Sequence, residues 1–500
     1  MKHTLQIIIA TVVLGITATT VVKAQQQPNI VFIFADDLGY HDVGVYGNEE
    51  VRTPHIDALA TDGTRFTRAY NMGSWSPAVC TPSRTMLNTG QYVWNARKLS
   101  EEEYRTTFQK NEFWSQQLQK AGYRTYFSGK WHVPGLDPND LFDQVMHIRP
   151  GMPNQTEEGY NRPRKDEEDE WSPYNLKFGG FWKGGTHWSE ILKNDAVNFI
   201  EDASEREEPF FMYLAFNAAH DPRQSPRQFV ESYNPHKLQI PPNYVPEYPY
   251  MNPMGAGRVN EHYRPHPPGT SQKVIDSSRY LRDEALAPFP RTKYAVRVNR
   301  QEYYAIISHM DAQIGLILDE LEANEKLDDT IIIFAADHGL AVGQHGLMGK
   351  QNMFEHSLRV PFIISGPGIP SQKTNESPIY FQDLVPTTIE LAGGKVPESY
   401  QFQSLLPLIR GKKQQLHPAI YGAYLDNQRA VVSWPHKLIL YPNISKVLLY
   451  NLEDDPFEIN NLADNKESAS VIKRLLSQLV ELQEKTGDEL NLRNSFKKWF

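Results

Sequence analysis

Seven residues, Asn29-Ile30-Val31-Phe32-Ile33-Phe34-Ala35, are apolar almost without interruption. No polar residue alternates with them, so the run predicts a strand covered on both faces. Similar runs recur at Phe210–Phe216, Thr330–Ala336 and Val360–Ser365. Between them the pattern turns helical, over residues 54–62 behind Pro54, residues 111–121 and residues 302–323. In the last of these, Ile306, Met310, Ile314, Leu318 and Leu321 fall at steps of three and four, the spacing of one helix face. Strand–helix alternation through most of the chain predicts an α/β fold with a large, mostly parallel central sheet flanked by helices. Beyond residue 415 the pieces become short and β-like, as at Lys437–Leu440 and Lys446–Leu449, and an amphipathic helix is expected over 467–485. The pattern therefore divides into a main domain over 25–414 and a small C-terminal α+β subdomain over 415–500.

Two stretches interrupt the alternation. Residues 222–290 hold 13 of the 35 prolines; this region, extending to residue 300, and another near 135–185 read as long insertions. Loops of that length in compact enzymes commonly shape a binding site. The acidic run Asp166–Glu170 reads as a solvated face. Residues 1–24 pass from Met1-Lys2-His3 through an apolar segment to Val22-Lys23-Ala24, the order expected of a secretory signal peptide. Thr and Gly within the run make it a poor permanent span, so no stable membrane insertion is expected after cleavage. Cys80 is the only cysteine, which excludes an intramolecular disulfide. Export without disulfides points to a bacterial periplasm, with secretion as the second choice; the sequons at Asn154, Asn375 and Asn443 do not reverse that. The net charge of −9 offers no basic excess for nucleic-acid binding.

Candidate chemistry begins at two strand ends. Asp36-Asp37 directly follows the first apolar run, and Asp337-His338-Gly339 directly follows Ile331–Ala336. If both strands are parallel members of one sheet, three carboxylates and an imidazole converge at its carboxyl edge, where ligands collect in such folds. A cluster of that kind repels itself unless a cation intervenes. Oxygen-rich ligation suits Ca²⁺ or Mg²⁺, while the His would also suit Zn²⁺ or Mn²⁺; the ligand types leave that choice open.

Cys80-Thr81-Pro82-Ser83-Arg84, followed by Leu87-Asn88-Thr89-Gly90, resembles the sulfatase signature C-x-P-S-R. The resemblance extends along the chain. Pro28-Asn29-Ile30-Val31 leading to Asp36-Asp37-Leu38-Gly39 is similar to the family's opening strand and first metal ligands, and Thr53-Pro54-His55-Ile56-Asp57-Ala58-Leu59-Ala60 to its T-P-N-I-D-x-L-A helix start. Gly129-Lys130-Trp131-His132, Phe216-Asn217-Ala218-Ala219-His220, Asp337-His338-Gly339, Gly349-Lys350 and Tyr450-Asn451-Leu452-Glu453-Asp454-Asp455-Pro456 resemble further family motifs in the family's order. Where the family often has A-P-H, this chain has Ala219-His220, but Asp221-Pro222 follows and preserves the His-x-Pro arrangement.

The resemblance implies an alkaline-phosphatase-like fold and a sulfuric ester hydrolase. It implies that a separate maturation enzyme converts Cys80 to formylglycine, and that Asp36, Asp37, residue 80, Asp337 and His338 hold one Ca²⁺. Lys130 and Lys350 would clamp the sulfate, and Arg84 would orient residue 80. Hydrated formylglycine would attack sulfur, His220 would protonate the leaving alcohol, and His132 would deprotonate the second hydroxyl to release sulfate. The resemblance is greatest to bacterial polysaccharide sulfatases, with the algal polymer ulvan as leading substrate and carrageenan, fucoidan and glycosaminoglycans behind it. Trp182, His187, Arg223 and His345 are the expected substrate contacts. Trp171, Trp188, Arg227, His262 and Arg264 have the same aromatic or basic character, although such side chains also pack loops. A phosphatase or phosphonate monoester hydrolase of the same superfamily is the alternative enzyme; a non-catalytic sulfated-glycan-binding protein is the alternative of another class.

Overall fold

The computed structural model describes residues 27–102, 104–149, 151, 156–165, 167–250 and 281–500. The expected signal peptide, the sequon at Asn154, Asp166 of the acidic run, His262 and Arg264 lie outside the described residues. The first apolar run forms β1 (Asn29–Ala35) and is followed by α1 (Pro54–Thr61), β2 (Gly63–Tyr70), the two-residue β3 (Gly73–Ser74), α2 (Cys80–Thr89), α3 (Trp114–Lys120), β4 (Arg124–Lys130) and β5 (Gln144–Arg149). A small hairpin of β6 (Trp182–Lys183) and β7 (Thr186–His187) leads into α4 (Trp188–Ser204) and β8 (Phe210–Ala215). The long α5 (Lys293–Ala323) precedes β9 (Thr330–Ala336), β10 (Arg359–Ser365), β11 (Lys373–Asn375), β12 (Ile379–Tyr380) and α6 (Leu384–Leu391). Then come β13 (Ile420–Tyr424), β14 (Gln428–Ser433), β15 (His436–Tyr441), β16 (Lys446–Asn451) and α7 (Ala469–Thr486).

The main sheet has the order β11-β2-β10-β9-β1-β8-β4-β5, with β12 also paired to β2. Its pairings are parallel except those of β10, which runs antiparallel to both β9 and β2. The expected large, mostly parallel sheet is thus observed, with the apolar run at 360–365 as its reversed strand. Apolarity reports cover on both faces and carries no information about direction. On one face Phe32 meets Trp114 at 5.4 Å and Tyr213 at 5.1 Å between ring centroids, while Phe34 meets Phe381 at 5.6 Å. Trp114 donates its indole N–H to Thr388 Oγ1 at 2.8 Å, which satisfies the polar end of a buried ring. The helix expected at 302–323 starts earlier, at Lys293, because Thr292 caps it by accepting from Ala295 N at 3.0 Å. It packs against α1 and α4.

The second sheet has the order β16-β15-β14-β13-β3 and is antiparallel except for the parallel β13–β3 pair. β3 comes from the segment leading into α2, so the C-terminal sheet is tied directly to the approach to Cys80. α7 covers β14 and β15 with Leu475, Leu476 and Leu479 buried beneath it. Lys437 of β15 is 0% exposed and joins the sheets by pairing with Glu355 at 2.9 Å and Glu458 at 2.8 Å. No helix among the described residues is long and apolar enough to cross a membrane.

Removing the Lys437 ammonium would leave two buried carboxylates facing each other. Lys437→Ala is therefore expected to lose about 3–5 kcal/mol of stability, read as a lower urea midpoint. Adding Glu458→Gln to that variant should restore part of the loss, because it removes one of the stranded charges.

Candidate active site

Four neighbouring strands end at one edge of the main sheet. β1 lies between β9 and β8, in register Ala35↔Ala336 on one side and Phe34↔Ala215 on the other, and β4 lies beyond β8. Asp36-Asp37 follows β1, Asp337-His338 follows β9, His220 lies in the turn after β8, and Lys130 closes β4. The two acidic turns touch. A Cβ on Gly339 would lie 2.0 Å from the His356 carbonyl and 2.9 Å from Gly39 Cα, so only glycine fits where they cross. Asp37 has φ +61°, a left-handed conformation that Asp tolerates better than most residues. Its amide donates to Asp337 Oδ1 at 3.1 Å, and its carbonyl accepts from the Tyr303 hydroxyl at 2.8 Å.

Cys80 occupies the first turn of α2, buried at the positive end of the helix dipole, where an anion is favoured. Arg84, one turn further along, reaches Asp36 and Asp337, each at 3.2 Å, and donates to the Lys130 carbonyl at 2.7 Å. Lys130 pairs with Asp36 at 2.5 Å. Lys350 bonds both oxygens of Asp37, at 2.7 and 2.8 Å, and approaches Cys80 Sγ at 3.4 Å. The loop before Lys350 is held by Glu284, which accepts from the amides of Met348 at 3.0 Å and Gly349 at 2.9 Å. His338 Nε2 lies 3.3 Å from Cys80 Sγ and 3.2 Å from Asp37 Oδ1.

Burial and mutual charge set the ionisation here. Burial pushes Asp37 well above the usual carboxylate range against the pull of Lys350 and His338. Burial also opposes ionisation of Asp337, but His338 and Arg84 outweigh it and hold this carboxyl low. Burial would neutralise His338, yet Asp337 and Asp37 raise it to about 9. Burial pushes the Cys80 thiol up, and Lys130 with Lys350 bring it below its ordinary value. The potential ligand atoms of Asp36, Asp37, Cys80 and His220 lie within 4.8 Å of one another, as do those of Cys80, Asp337 and His338. Three buried carboxylates, an imidazole and residue 80 form a donor set that fits a hard divalent cation such as Ca²⁺, with residue 80 as formylglycine beside it.

His220 is buried, and its Nδ1 lies 2.6 Å from the Asp221 carbonyl. A carbonyl only accepts, so Nδ1 carries the hydrogen and Nε2, 3.8 Å from Asp37 Oδ2, presents its lone pair. Burial, then Lys350 and Lys130, hold His220 well below its ordinary range. His132, half-buried with φ +53°, is lowered to about 3 by burial, then by Lys130 and Arg84.

The remaining expected contacts are held in packing. His187 is fully buried, caps α4 by accepting from Ser189 N at 3.1 Å, and bonds the Gln224 carbonyl at 2.6 Å. Trp182 packs edge-on against it, and His345 stacks on Phe354 with centroids 3.9 Å apart. Arg223 bonds Asn299 at 2.8 Å. The pattern along the chain did not single out Tyr303, Arg282 or Asp283. A narrow cleft opens onto Cys80 and His220 beside Leu281, Arg282, Asp283 and Gln351. Arg282 is paired there with Asp221 and Asp283.

The sequence profile of the family described as Sulfatase matches residues 28–394, and that described as N-sulphoglucosamine sulphohydrolase, C-terminal, matches residues 343–485. A choline-sulfatase of Rhizobium meliloti is 29% identical over 463 residues, covering 88% of this chain and 83% of that protein. An ulvan-active sulfatase of Formosa agariphila is 26% identical over 505 residues, covering 93% of this chain and 82% of its own. A solved structure in complex with its substrate D-glucosamine-2-N,6-O-disulfate shares the fold with a TM-score of 0.68 at 23% identity, covering 93% of this chain and 99% of that one. With the profile spanning most of the chain and the buried ligand cluster built on its motifs, the chain belongs to the sulfatase family.

Proposed function

We propose that this protein is an exported hydrolase that removes sulfate from an algal polysaccharide of the ulvan kind, after a maturation enzyme has converted Cys80 to formylglycine. The supporting observation is the position of the chain's only cysteine, at the start of α2 and 3.3 Å from His338 within the carboxylate cluster. The names of Formosa agariphila relatives support ulvan. Choline is less well matched, because a quaternary ammonium favours aromatic walls; the described residues of the cleft offer none and present Arg282 instead.

Asp36, Asp37, Asp337 and His338 would hold Ca²⁺, which supplies a fixed positive charge that polarises the sulfate. Hydrated formylglycine supplies the hydroxyl nucleophile. With Asp36 and Asp37 neutralised in this way, Lys130 and Lys350 are free to turn their ammonium groups to the sulfate oxygens. Arg84 fixes both acidic turns and the end of β4. The ester's negative charge raises the proton affinity of His220, so its Nε2 takes up a proton from solvent as the substrate binds and donates it to the departing alkoxide. His132, neutral in its half-buried position, accepts the proton when residue 80 is regenerated.

A sugar alkoxide needs that proton and 4-nitrophenolate does not. His220→Ala is expected to reduce kcat/KM on a sulfated sugar by about 10²–10⁴-fold, while 4-nitrophenyl sulfate loses less than about tenfold. Equal losses on both substrates would contradict the acid role. Calcium should also be visible in stability: at about 100 times its Kd it adds about 2.7 kcal/mol, read as a higher Tm that a chelator reverses. Asp337→Asn should abolish that rise.

A further inference from the structure

Buried guanidinium groups in this protein are generally matched by carboxylates: Arg84 by Asp36 and Asp337, Arg162 by Asp169 and Glu302, Arg291 by Glu284, and Arg429 by Asp488. Arg149 differs. It is 9% exposed, donates from Nη2 to the Gly180 carbonyl at 2.7 Å, and lies over the rings of Trp188 at 4.7 Å and Phe181 at 5.4 Å. Among the described residues its buried Nε has no partner and no carboxylate pairs with it. Aromatic faces offset part of the penalty on a buried cation, but a charge without a counter-ion in such a place is costly. Burial accordingly lowers its pKa to about 10, with Asp36 pulling the other way. Arg223 also has no ion pair among the described residues, and its buried Nε and Nη2 are unpartnered there, but three carboxylates, Asp42, Asp221 and Glu302, feel its charge against Asp36 alone for Arg149.

The position of Arg149 suggests what the charge serves. It closes β5 directly opposite Lys130 in register, so the two side chains leave the same face of the sheet. Gly180, whose carbonyl it bonds, is pressed against Pro222 and Gln224 in the turn that follows His220. Gly151, two residues further on, lies so close to His132 that a Cβ there would meet the imidazole at 2.0 Å. The guanidinium therefore stands on the His132–His220 side of the cluster, away from Asp337 and His338, and a sugar reaching it would extend from the cleft past His220 and His132.

We propose that Arg149 is a specificity-determining residue that binds a second anionic group, a carboxylate or a second sulfate, on the sugar whose ester is cleaved. The planar fork of a guanidinium matches either oxyanion. This inference rests on the sulfatase reading and narrows its substrate class to sugars carrying two anions.

The test uses matured, calcium-loaded protein and three sugar probes: N-acetylglucosamine 6-sulfate, glucosamine 2-N,6-O-disulfate and a monosulfated glucuronic acid. Binding is read both as a Tm shift and as inhibition of 4-nitrophenyl sulfate hydrolysis. At least one two-anion probe is expected to bind about tenfold more tightly than the one-anion probe, a difference of about 1.4 kcal/mol. Which of them does so separates sulfate from carboxylate. Arg149→Met should abolish the preference while leaving kcat/KM on 4-nitrophenyl sulfate within about threefold, and Arg149→Lys should keep part of it. The Tm of the Met variant without probe should equal or exceed that of the parent, because an unmatched buried charge has been removed; a purely structural arginine would give a lower Tm. Equal binding of all probes by the parent would overturn the proposal. So would Arg149→Met weakening every probe and 4-nitrophenyl sulfate alike, which would assign Arg149 to the reacting sulfate. A parent protein with no sulfate-ester turnover would contradict the sulfatase reading instead, and the Tm shifts would still decide the role of Arg149.

Discussion

Mutual repulsion among Asp36, Asp37 and Asp337 is the constraint around which the site is arranged. The adjacency of β1 and β9 forces these carboxylates together, and burial removes the water that would screen them. Every nearby cation answers that repulsion: Arg84 bridges the two acidic turns, Lys130 takes Asp36, and Lys350 takes Asp37. A divalent ion answers it more completely, because one charge centre serves all three carboxylates and frees the lysines for an anionic ligand. The same electrostatics lower the Cys80 thiol and raise His338.

The rest of the fold supplies the rigidity this cluster needs. Parallel strands with both faces covered bring four strand ends to one edge, and the aromatic packing around Phe32, Phe34 and Tyr213 fixes the strands behind them. The C-terminal sheet takes part as well. It incorporates β3 just before Cys80, and Gln428 of β14 donates to the Gln351 carbonyl at 3.0 Å, next to Lys350. Both the helix that carries residue 80 and the loop that carries Lys350 are thus braced from outside the main sheet.

Much of this was legible in the sequence. Uninterrupted apolar runs marked β1, β8 and β9, and polar pairs directly after two of them marked the ligand turns. The motifs around Cys80, Lys130, His220 and Lys350 marked residues that converge in space. β4 was harder to read because Arg124, Thr125, Ser128 and Lys130 interrupt its apolar residues, although burial still covers most of it. Tyr303 looks like one more buried position of an amphipathic helix, and only the folded chain brings its hydroxyl to the Asp37 carbonyl. Arg149 carries no motif; its interest lies in having no carboxylate paired with it among the described residues, a property of three-dimensional surroundings. His187 has the aromatic and basic character of a ligand-facing ring, but it is buried and caps α4, and spacing does not distinguish the two.

The most direct measurement is the mass of the peptide containing residue 80 from protein made in its native host. The account predicts a peptide about 18 Da lighter than the cysteine form, or its hydrate, as formylglycine requires. An unmodified thiol at full occupancy in protein that nevertheless released sulfate from a sulfated sugar would contradict it, because the nucleophile would then have to be something else.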